Sequence, residues 1–327
     1  MNSDAQEPTD RSKKQALNPK GLLEAALWLQ LLAAPGPLLA RWAFVFELMS
    51  YARLQLAAGL GLGALLAWAL HRRGLALAST VAALVLAQPL AAPMFHVEPA
   101  AAPGPTLRLL QANVKTEARG YAQLAALIDA EAPDVVALEE VDAAWLEALG
   151  PQRQRYPHRL EHPRDDNFGI ALWSRHPLGE TRVVEAGRGA TPTLDALLRI
   201  EGYTLRVVVT HPSPPFRAQA AARRDEQLLA LAAMLRQGAR PAVLVGDLNA
   251  TPNAPIFRDV VEFAGLQDVP AQRWPLGTWP AFLPFGAIWI DHVLPTEGVR
   301  VEALATATSI GSDHRPVLAR LRLVDAR

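Results

Sequence analysis

Near its C-terminus the chain reads Ser312-Asp313-His314-Arg315-Pro316. This stretch places a carboxylate beside an imidazole, and metal-assisted hydrolysis uses both groups, the first to hold a hard cation and the second to move a proton. A lone Asp-His pair on a loop is usually solvated surface. The stretch becomes informative because polar residues upstream also follow short apolar runs, as expected when several strands deliver their ends to one place.

Apolar runs that end in a polar residue recur throughout residues 106–327. Five of them deliver residues able to bind a metal or move a proton. The first, Thr106–Asn113, ends in Gln111-Ala112-Asn113. The other four come directly before such residues: Asp134–Leu138 before Glu139 and Glu140, Tyr203–Thr210 before His211, Ala242–Val245 before Gly246-Asp247-Leu248-Asn249, and Trp289-Ile290 before Asp291-His292. Tyr121–Glu131 has the apolar spacing of a crossover helix, and Phe216–Gln237 predicts a longer helix. Further strands are predicted at Phe168–Ser174, Leu194–Ile200 and Arg315–Leu323. The pattern predicts an α/β domain with its site at the strand ends.

The composition separates an apolar region from a charged one. Leu and Ala dominate the chain up to about residue 100, whereas residues 106–327 carry 24 Lys and Arg against 26 Asp and Glu. No strong basic nucleic-acid surface is evident, and nonspecific duplex binding requires one. The chain has no cysteine, which excludes disulfides, thiolate zinc sites and a Cys nucleophile. Oxygen ligands predominate, and they suit Mg²⁺ or Mn²⁺ better than zinc.

Residues 21–99 form a predicted membrane region with two or three transmembrane helices, at about residues 22–40, 54–70 and 75–95. Pro35-Gly36-Pro37 breaks the first run, so a span and an interfacial helix both stay open there. The other two runs flank a basic turn and predict a helical hairpin. Two buried helices of a soluble bundle are the alternative, which the near absence of charge on every face disfavours.

Basic residues predict the orientation of these helices. The polar residues 1–20 form a predicted disordered tail with Lys13, Lys14 and Lys20, and Arg72 and Arg73 lie in the hairpin turn. Under the positive-inside rule both clusters stay in the cytoplasm, and three spans satisfy this constraint. The Pro-rich linker at residues 100–105 and the domain at 106–327 would then lie outside the cytoplasm.

The order of the motifs resembles the endonuclease/exonuclease/phosphatase superfamily with the DNase I-like fold. The resemblance covers most of Thr106–Arg327 and rests on six motifs: Gln111-Ala112-Asn113, Leu138-Glu139-Glu140-Val141, Thr210-His211, Gly246-Asp247-Leu248-Asn249, Ile290-Asp291-His292 and Ser312-Asp313-His314. It implies an α/β (α+β) four-layer sandwich of two packed β-sheets flanked by helices, preceded here by transmembrane helices. Membrane-anchored bacterial members look most similar, which implies a multi-pass protein of the bacterial inner (cytoplasmic) membrane with a periplasmic or extracellular catalytic domain.

The resemblance also implies a set of metal ligands. Glu140 would be the principal ligand, helped by Asn113 and by Asp313, the latter directly or from the second coordination sphere. Glu139 stands where members of the family more often have Gln, so which of the two acids ligates stays open. Neighbours in a strand point to opposite faces, and we therefore expect Glu139 to be a solvated carboxylate or one acting through another group.

Catalytic roles are implied in the same way. His314 would act as general base or acid with Asp291 orienting its imidazole, while Asp247 and Asn249 position the attacking water and a phosphoryl oxygen. His211 would donate a hydrogen bond to the phosphate or protonate the leaving oxygen. Simpler explanations stay open, since Asn249 could serve only the turn and His211 could only end a strand.

The implied reaction is a single in-line attack of metal- and His-activated water on a phosphodiester or phosphomonoester, with Mg²⁺ or Mn²⁺ bound and a lipid bilayer as neighbour. Fold does not choose among lipid, nucleotide and nucleic-acid substrates. The loop Trp274–Phe285 could stack on a base, enter lipid headgroups or simply pack on the core. A nuclease and a non-catalytic membrane-tethered binding or sensor domain are the alternatives, the second disfavoured because every residue needed for chemistry is present.

Overall fold

The computed structural model of the chain describes residues 19–90, 103–188, 190–268, 277–283 and 287–324. Two compact units make up the chain: Met1–Pro35 with Leu56–Leu86, and Gly36–Gln55 with Ala87–Arg327. Nearly all of the predicted tail, the third apolar run beyond residue 90, part of the linker and both ends of the Trp274–Phe285 loop lie outside the described residues.

The first unit consists of apolar helices. The N-terminal helices are α1 (Pro19–Ala33), α2 (Phe44–Tyr51), α3 (Arg53–Ala69) and α4 (Arg73–Ala87), with 3₁₀ turns at Gly36–Leu39 and Gln88–Leu90. The first unit takes α1, α4 and most of α3. Large apolar side chains on these helices are 67 to 75% exposed: Leu29, Leu32, Leu65, Trp68 and Leu84. A bundle that folds in water would bury such side chains, so the exposure is typical of helices that face lipid.

The described residues contain one or two segments that could span a membrane, where the sequence predicts two or three. Among the described residues one segment, Pro19–Leu39, is long and apolar enough to cross a membrane, and a second exists only if α2 and α3 together form one bent span. Helix α4 has 15 residues, fewer than the 17 to 25 or so that a span needs. The multi-pass arrangement and the side of the membrane therefore stay predictions.

The second unit contains the strands. Their bounds are β1 (Thr106–Asn113), β2 (Val135–Glu139), β3 (His158–His162), β4 (Ile170–Ser174), β5 (Leu178–Val184), β6 (Thr193–Ile200), β7 (Tyr203–Thr210), β8 (Ala242–Asp247), β9 (Asp291–Pro295), β10 (Val299–Thr306) and β11 (Val317–Leu323). The helices between them are α5 (Tyr121–Glu131), α6 (Ala143–Ala148), α7 (Gly150–Arg153), α8 (Ala218–Gln237) and α9 (Pro255–Ala264). The residues Gly36–Gln55, with α2, also belong to this unit and lie outside the predicted domain 106–327.

The strands form two sheets that pack face to face. One sheet has the order β10-β11-β1-β2-β4-β3 and the other β5-β6-β7-β8-β9. Parallel pairing is confined to β1 with β2 and β7 with β8, the two pairs joined through α5 and α8. A single apolar core joins the inner faces of both sheets, and two further clusters place α5 and α6 on one outer face and α8 and α9 on the other. The predicted architecture of two packed sheets flanked by helices is thus confirmed.

Alternation along β1 shows how the sequence produces the layers. Leu107 and Leu109 point into the core between the sheets, whereas Leu110 and Ala112 point toward α5. Successive side chains of a strand face opposite ways, so a strand buried on both faces reads as a nearly continuous apolar run. The buried polar residues of β1, Gln111 and Asn113, come at its end, where the core stops and the site begins.

A buried ion pair away from the strand ends gives a test of the fold. Arg206 on β7 places Nε 2.8 Å from Oδ1 of Asp195 on β6, and both side chains are almost fully buried. Burial alone would raise the pKa of Asp195, but Arg206 and Arg182 outweigh it and lower the pKa. We expect Asp195→Ala to lower the free energy of unfolding by about 3–5 kcal/mol, because Arg206 would be left as an unpaired buried charge.

Urea unfolding of the full chain, followed by tryptophan fluorescence, measures this effect. Glu131→Ala is the matched control, since Glu131 forms an exposed ion pair with Arg108 and such pairs contribute about 0–1 kcal/mol. A lowered folded-state pKa stabilises the fold above the unfolded pKa, roughly 3.9 for Asp, and this contribution is lost as the pH falls. The part of the free energy of unfolding that the wild type loses on acidification through Asp195 should be missing from Asp195→Ala. Equal effects of the two substitutions would contradict the prediction.

Candidate active site

The predicted site residues meet where the two sheets come together at their strand ends. Glu140, His211, Asp247, Asn249, Asp313 and His314 line one cavity of about 430 Å³. The other two predicted residues lie beside it: Asn113 is hydrogen-bonded to Glu140 and Asp247, and Asp291 to His314. Strand pairing explains the convergence, because Asn113 is the cross-strand partner of Glu139 and Asp247 is that of Asp291. All eight residues are thus within one site.

His314 and Asp291 form a buried pair. The Nδ1 atom of His314 lies 2.9 Å from Oδ2 of Asp291, and Oδ1 of Asp291 accepts a hydrogen bond of 2.9 Å from the Gln111 amide. Burial alone would lower the pKa of His314, but Asp291 and Asp247 outweigh it and raise the pKa to about 10. A proton on Nδ1 is therefore held toward Asp291, which leaves Nε2 on the cavity side, 3.7 Å from Asp247.

Removing the charge of Asp291 while keeping its shape should shift the pH dependence of the site. We expect Asp291→Asn to move the limb of the pH–rate profile that belongs to His314 to lower pH, because the Asp291 carboxylate is a main cause of the raised pKa. The pH dependence of kcat/KM, which reports groups of the free enzyme, measures the shift. A profile that does not move, from a folded variant, would show that His314 is not the titrating group.

Glu140, Asp247 and His211 form the opposite wall. The Asn113 amide donates to Oε1 of Glu140 at 2.9 Å and to Oδ2 of Asp247 at 3.2 Å. His211 Nε2 lies 3.4 Å from the same Asp247 oxygen and 3.9 Å from Glu140 Oε1. Burial alone would lower the pKa of His211, but Asp247 and Glu140 outweigh it and raise the pKa. The two acids therefore favour the charged imidazole, the form that donates hydrogen bonds to an anion from both ring nitrogens.

The donor set fits a hard divalent cation. Glu140 and Asp247 direct one oxygen each at the same amide, and carboxylate oxygens are the ligands that Mg²⁺ and Mn²⁺ take. Asn113 offers its nitrogen in this arrangement, while its oxygen accepts from the Lys115 backbone, so its amide would have to turn to ligate. Asp313 lies in the same cavity but its carboxylate is 3.3 Å from the Lys115 ammonium. Asp247 was predicted to position the attacking water and a phosphoryl oxygen. In the structure it is as well placed as Glu140 to bind the cation.

A second group of side chains, two acids and an imidazole, is also close enough together to hold a metal ion, but its contacts indicate another role. Ligand atoms of Asp247, Asp291 and His314 lie within 4.8 Å of one another. Both oxygens of Asp291 are already engaged, one by His314 and one by Gln111. We therefore assign Asp291 to orienting the imidazole and not to holding a cation.

Glu139 corrects one expectation. Its side chain is fully buried, because β2 extends through this residue and turns it toward Gln111, whose amide donates to it at 2.8 Å. Its other oxygen has no hydrogen-bond partner among the described residues, and burial together with Asp291 raises its pKa well above the usual range. Of the two alternatives expected for Glu139, the solvated carboxylate is wrong, and a carboxylate that acts through another group stays a prediction. Glu140, which follows the strand with a φ of 58°, is the acid in the cavity.

Gly246 lets β8 enter the site. A Cβ atom at this position would lie 2.0 Å from the Thr210 carbonyl and 3.1 Å from Glu139, and the residue has a φ of 136°. Only glycine fits both demands. The close approach brings Asp247 next to His211, which directly follows Thr210.

The turn after β8 holds Asn249. Its backbone N–H donates to Asp247 at 2.8 Å, and its side-chain amide donates to the Pro212 carbonyl at 2.9 Å. This is the turn chemistry left open by the sequence, and Asn249 nevertheless lines the cavity. His292 donates from Nε2 to the Ala250 carbonyl at 2.9 Å and packs on Phe257, which is a structural role.

Helix α2 supplies a wall that the sequence did not predict. Arg224 of α8 is completely buried and donates to Glu47 at 2.6 Å, to the Tyr51 hydroxyl at 2.5 Å and to the Asn249 carbonyl at 3.0 Å. Tyr51 also donates to that carbonyl, and both Leu48 and Tyr51 line the cavity. One signal was available, since Glu47 is the only acid between Glu24 and Glu98.

We expect Glu47→Gln to lower kcat, because it weakens the contact that holds Arg224 against the Asn249 turn. The loss could reach about 10²-fold, the effect of a displacement of roughly 1 Å in a catalytic group. Steady-state kinetics with a soluble ester measure it. Glu117→Gln is the control, because Glu117 lines the same cavity without contacting Arg224. Wild-type kcat in a folded Glu47→Gln protein would contradict the link between α2 and the site.

Comparison with known proteins agrees with this geometry. Residues 110–314 match a family model described as the Endonuclease/Exonuclease/phosphatase family. Similar solved structures include an endonuclease/exonuclease/phosphatase from Beutenbergia cavernae DSM 12333, at a TM-score of 0.54 and 25% identity over 68% of this chain and 72% of that one. Humanized D. rerio TDP2 is similar at a TM-score of 0.55 and 17% identity, covering 66% and 99% of the two chains. A mutant Staphylococcus aureus beta toxin with bound magnesium ions is similar at a TM-score of 0.51 and 17% identity, and the match covers 68% of this chain and 100% of the toxin chain.

No curated protein matches the chain. The family match covers more than half of the 327 residues and contains all eight predicted site residues. The chain therefore belongs to the endonuclease/exonuclease/phosphatase family.

Proposed function

We propose that the protein is a membrane-anchored, divalent-metal-dependent phosphoesterase that hydrolyses a phosphodiester or phosphomonoester. The observation that carries the proposal is the meeting of two carboxylates, Glu140 and Asp247, with the His314–Asp291 pair in one cavity. A cation site beside an oriented imidazole is what the hydrolysis of a phosphoester by water requires. The magnesium in the similar beta toxin structure supports the choice of metal.

The residues of the chain have distinct tasks in this proposal. Glu140 and Asp247 would hold the cation, which would supply positive charge to stabilise the phosphoryl oxygens. His314 exchanges a proton at Nε2 while Asp291 fixes the ring through Nδ1, the same division of roles as in other base–orienter pairs. His211, which is buried and has a raised pKa, donates to the phosphoryl group. The Asn113 amide holds the carboxylates of Glu140 and Asp247 in place, and Asn249 holds the turn after β8 against Pro212.

The test is turnover by the full chain in amphipol. Methyl p-nitrophenyl phosphate and p-nitrophenyl phosphate would be assayed with Mg²⁺, with Mn²⁺ and with EDTA. We expect p-nitrophenolate release with either metal and none with EDTA. Release that EDTA does not change would overturn metal dependence, and no release on any ester by a folded protein would favour the non-catalytic binding domain.

Nuclease activity is the second candidate. TDP2 from D. rerio has been crystallised with a single-stranded DNA product, and the folds are alike. Supercoiled plasmid and a single-stranded oligonucleotide belong in the same panel for this reason. Preference for either over the small esters would replace a general phosphoesterase with a nuclease.

Membrane anchoring and orientation need their own test. The segment Pro19–Leu39 and the exposed apolar side chains of the first unit support an anchor. A reporter that is active only in the cytoplasm, fused after Arg327, should stay inactive if the catalytic domain lies outside. An active fusion would place the domain in the cytoplasm.

A further inference from the structure

The cavity has a polar floor and an apolar mouth. Leu48 of α2, Phe216 before α8 and Trp279 of the loop before β9 all line it, and they are 40%, 83% and 37% exposed. These three side chains come from parts of the chain far apart in sequence and surround the same acids and imidazoles. Single exposed apolar side chains are scattered over the surface of most proteins and need no explanation. Several of them around one opening, however, mark a binding surface. A small ionic substrate would gain nothing from them.

The charges of the cavity disfavour a polyanion. Its acidic side chains are Glu117, Glu140, Asp166, Asp247 and Asp313. Lys115 is the one Lys or Arg side chain among the described residues that line it, and this ammonium is already 3.3 Å from Asp313. Binding of nucleic acid depends on cations that neutralise successive phosphates. The lining suits a single phosphoester joined to an apolar group.

Helix α2 indicates what the apolar group is. Val45 and Leu48, one turn apart on α2, are 56% and 40% exposed, and Trp42, two residues before the helix, is 84% exposed. Helix α2 and the turn before it therefore present apolar side chains to solvent. The chain continues two residues later into α3, one of the apolar helices. Aromatic and apolar residues next to such helices belong at the level of lipid headgroups. The same α2 is fixed to the site by Glu47, Arg224 and Tyr51.

We propose that the substrate is a lipid phosphoester, with its phosphate at Glu140, Asp247 and His314 and its hydrocarbon chain between Leu48, Phe216 and Trp279. The inference rests on the proposed phosphoesterase function and specifies its substrate class. Hydrolysis forms a bond from the water oxygen to phosphorus and breaks the bond from phosphorus to the leaving oxygen. The proton that the water loses passes by way of Nε2 of His314 and ends on the leaving oxygen, which departs as an alcohol. The apolar mouth adds binding energy away from the reacting atoms, so a longer hydrocarbon chain on the substrate should raise kcat/KM.

A chain-length series tests the proposal. Methyl, butyl and octyl p-nitrophenyl phosphates, all below their micellar concentrations, would be assayed with the full chain in amphipol and Mg²⁺. We expect kcat/KM to rise at least tenfold from the methyl to the octyl ester. The p-nitrophenyl ester of thymidine 5′-phosphate carries a base in place of the chain, and we expect it to react no faster than the methyl ester.

Substitutions locate the binding surface. Phe216→Ser and Leu48→Ser should each reduce the octyl-to-methyl ratio of kcat/KM several-fold, because both side chains line the cavity. Phe263→Ser is the matched control, since Phe263 is 45% exposed on α9 and lies outside the cavity lining, and its ratio should equal that of the wild type. Phe216 is largely exposed, so its loss should leave the fold intact.

The outcomes separate the two proposals. Turnover of the methyl ester with a flat chain-length series would overturn the lipid substrate and leave the phosphoesterase standing. Faster turnover of the thymidine ester than of the octyl ester would replace the hydrocarbon chain with a stacked base. A ratio that Phe263→Ser lowers as much as Phe216→Ser would show nonspecific partitioning. No metal-dependent turnover of any ester would remove both proposals.

Discussion

Replacing His314 with alanine is expected to lower kcat for every phosphoester the protein accepts by at least about 10²-fold, the lower bound for losing a general acid–base group. The imidazole lies between two acids, 2.9 Å from Asp291 and 3.7 Å from Asp247, and no other described imidazole is bonded to Asp291. His211 lies on the far side of Asp247 and is placed to donate to the phosphate, so it does not substitute for His314.

Single-turnover and steady-state rates with methyl p-nitrophenyl phosphate measure the loss. His162→Ala is the matched control, because His162 lies on β3 and outside the cavity lining. Its rate should equal that of the wild type. Circular dichroism establishes that both variants are folded. A folded His314→Ala protein with a wild-type rate would remove His314 from the mechanism and leave the metal as the main source of catalysis.

The sequence predicted a helix or strand correctly where the apolar residues of that element show a clear pattern from its first residue to its last. The bounds of β1, α5 and β7 agree with the predicted Thr106–Asn113, Tyr121–Glu131 and Tyr203–Thr210. Strands β1 and β7 are buried over most of their length, so their apolar runs are long, and α5 buries Leu124, Leu127 and Ile128 at helical spacing. Strands β3 and β5 were not predicted, and both are half-buried or exposed edge strands rich in charged residues. These two segments adopt strand conformation because they pair with a neighbouring strand, and the sequence of one segment alone carries no information about that pairing.

The site was predicted where the residues follow strands, and it was incomplete where they act through distant contacts. Six of the eight predicted residues line one cavity, because the ends of paired strands are adjacent whatever the loops do. Gln111 belonged to a motif without an assigned role, yet its amide bridges Glu139 of one sheet and Asp291 of the other. Arg224 and Glu47 are 177 residues apart. No local pattern reports such a pair.

The adjacent acids Glu139 and Glu140 provide the second large effect, because they are matched in chemistry and differ in placement. We expect Glu140→Gln to lower kcat/KM in saturating Mg²⁺ by roughly 10²-fold or more, since weakening a metal site removes several kcal/mol of charge stabilisation and each 1.36 kcal/mol is tenfold. Glu140 directs Oε1 into the cavity toward Asp247 and His211. Glutamine keeps the size of the side chain but removes the charge that holds a cation.

Glu139→Gln should have a much smaller effect. Burial raises the pKa of Glu139 well above the usual range, which favours the neutral acid, and a neutral amide can still accept the hydrogen bond from Gln111. Binding of Mg²⁺ gives a readout that does not depend on turnover, because a ligand of the folded state raises the thermal midpoint. That rise should persist in Glu139→Gln and shrink in Glu140→Gln. The reverse result would assign the cation to the buried acid of β2, and the geometry around Gln111 and Asp291 would then have to rearrange when metal binds.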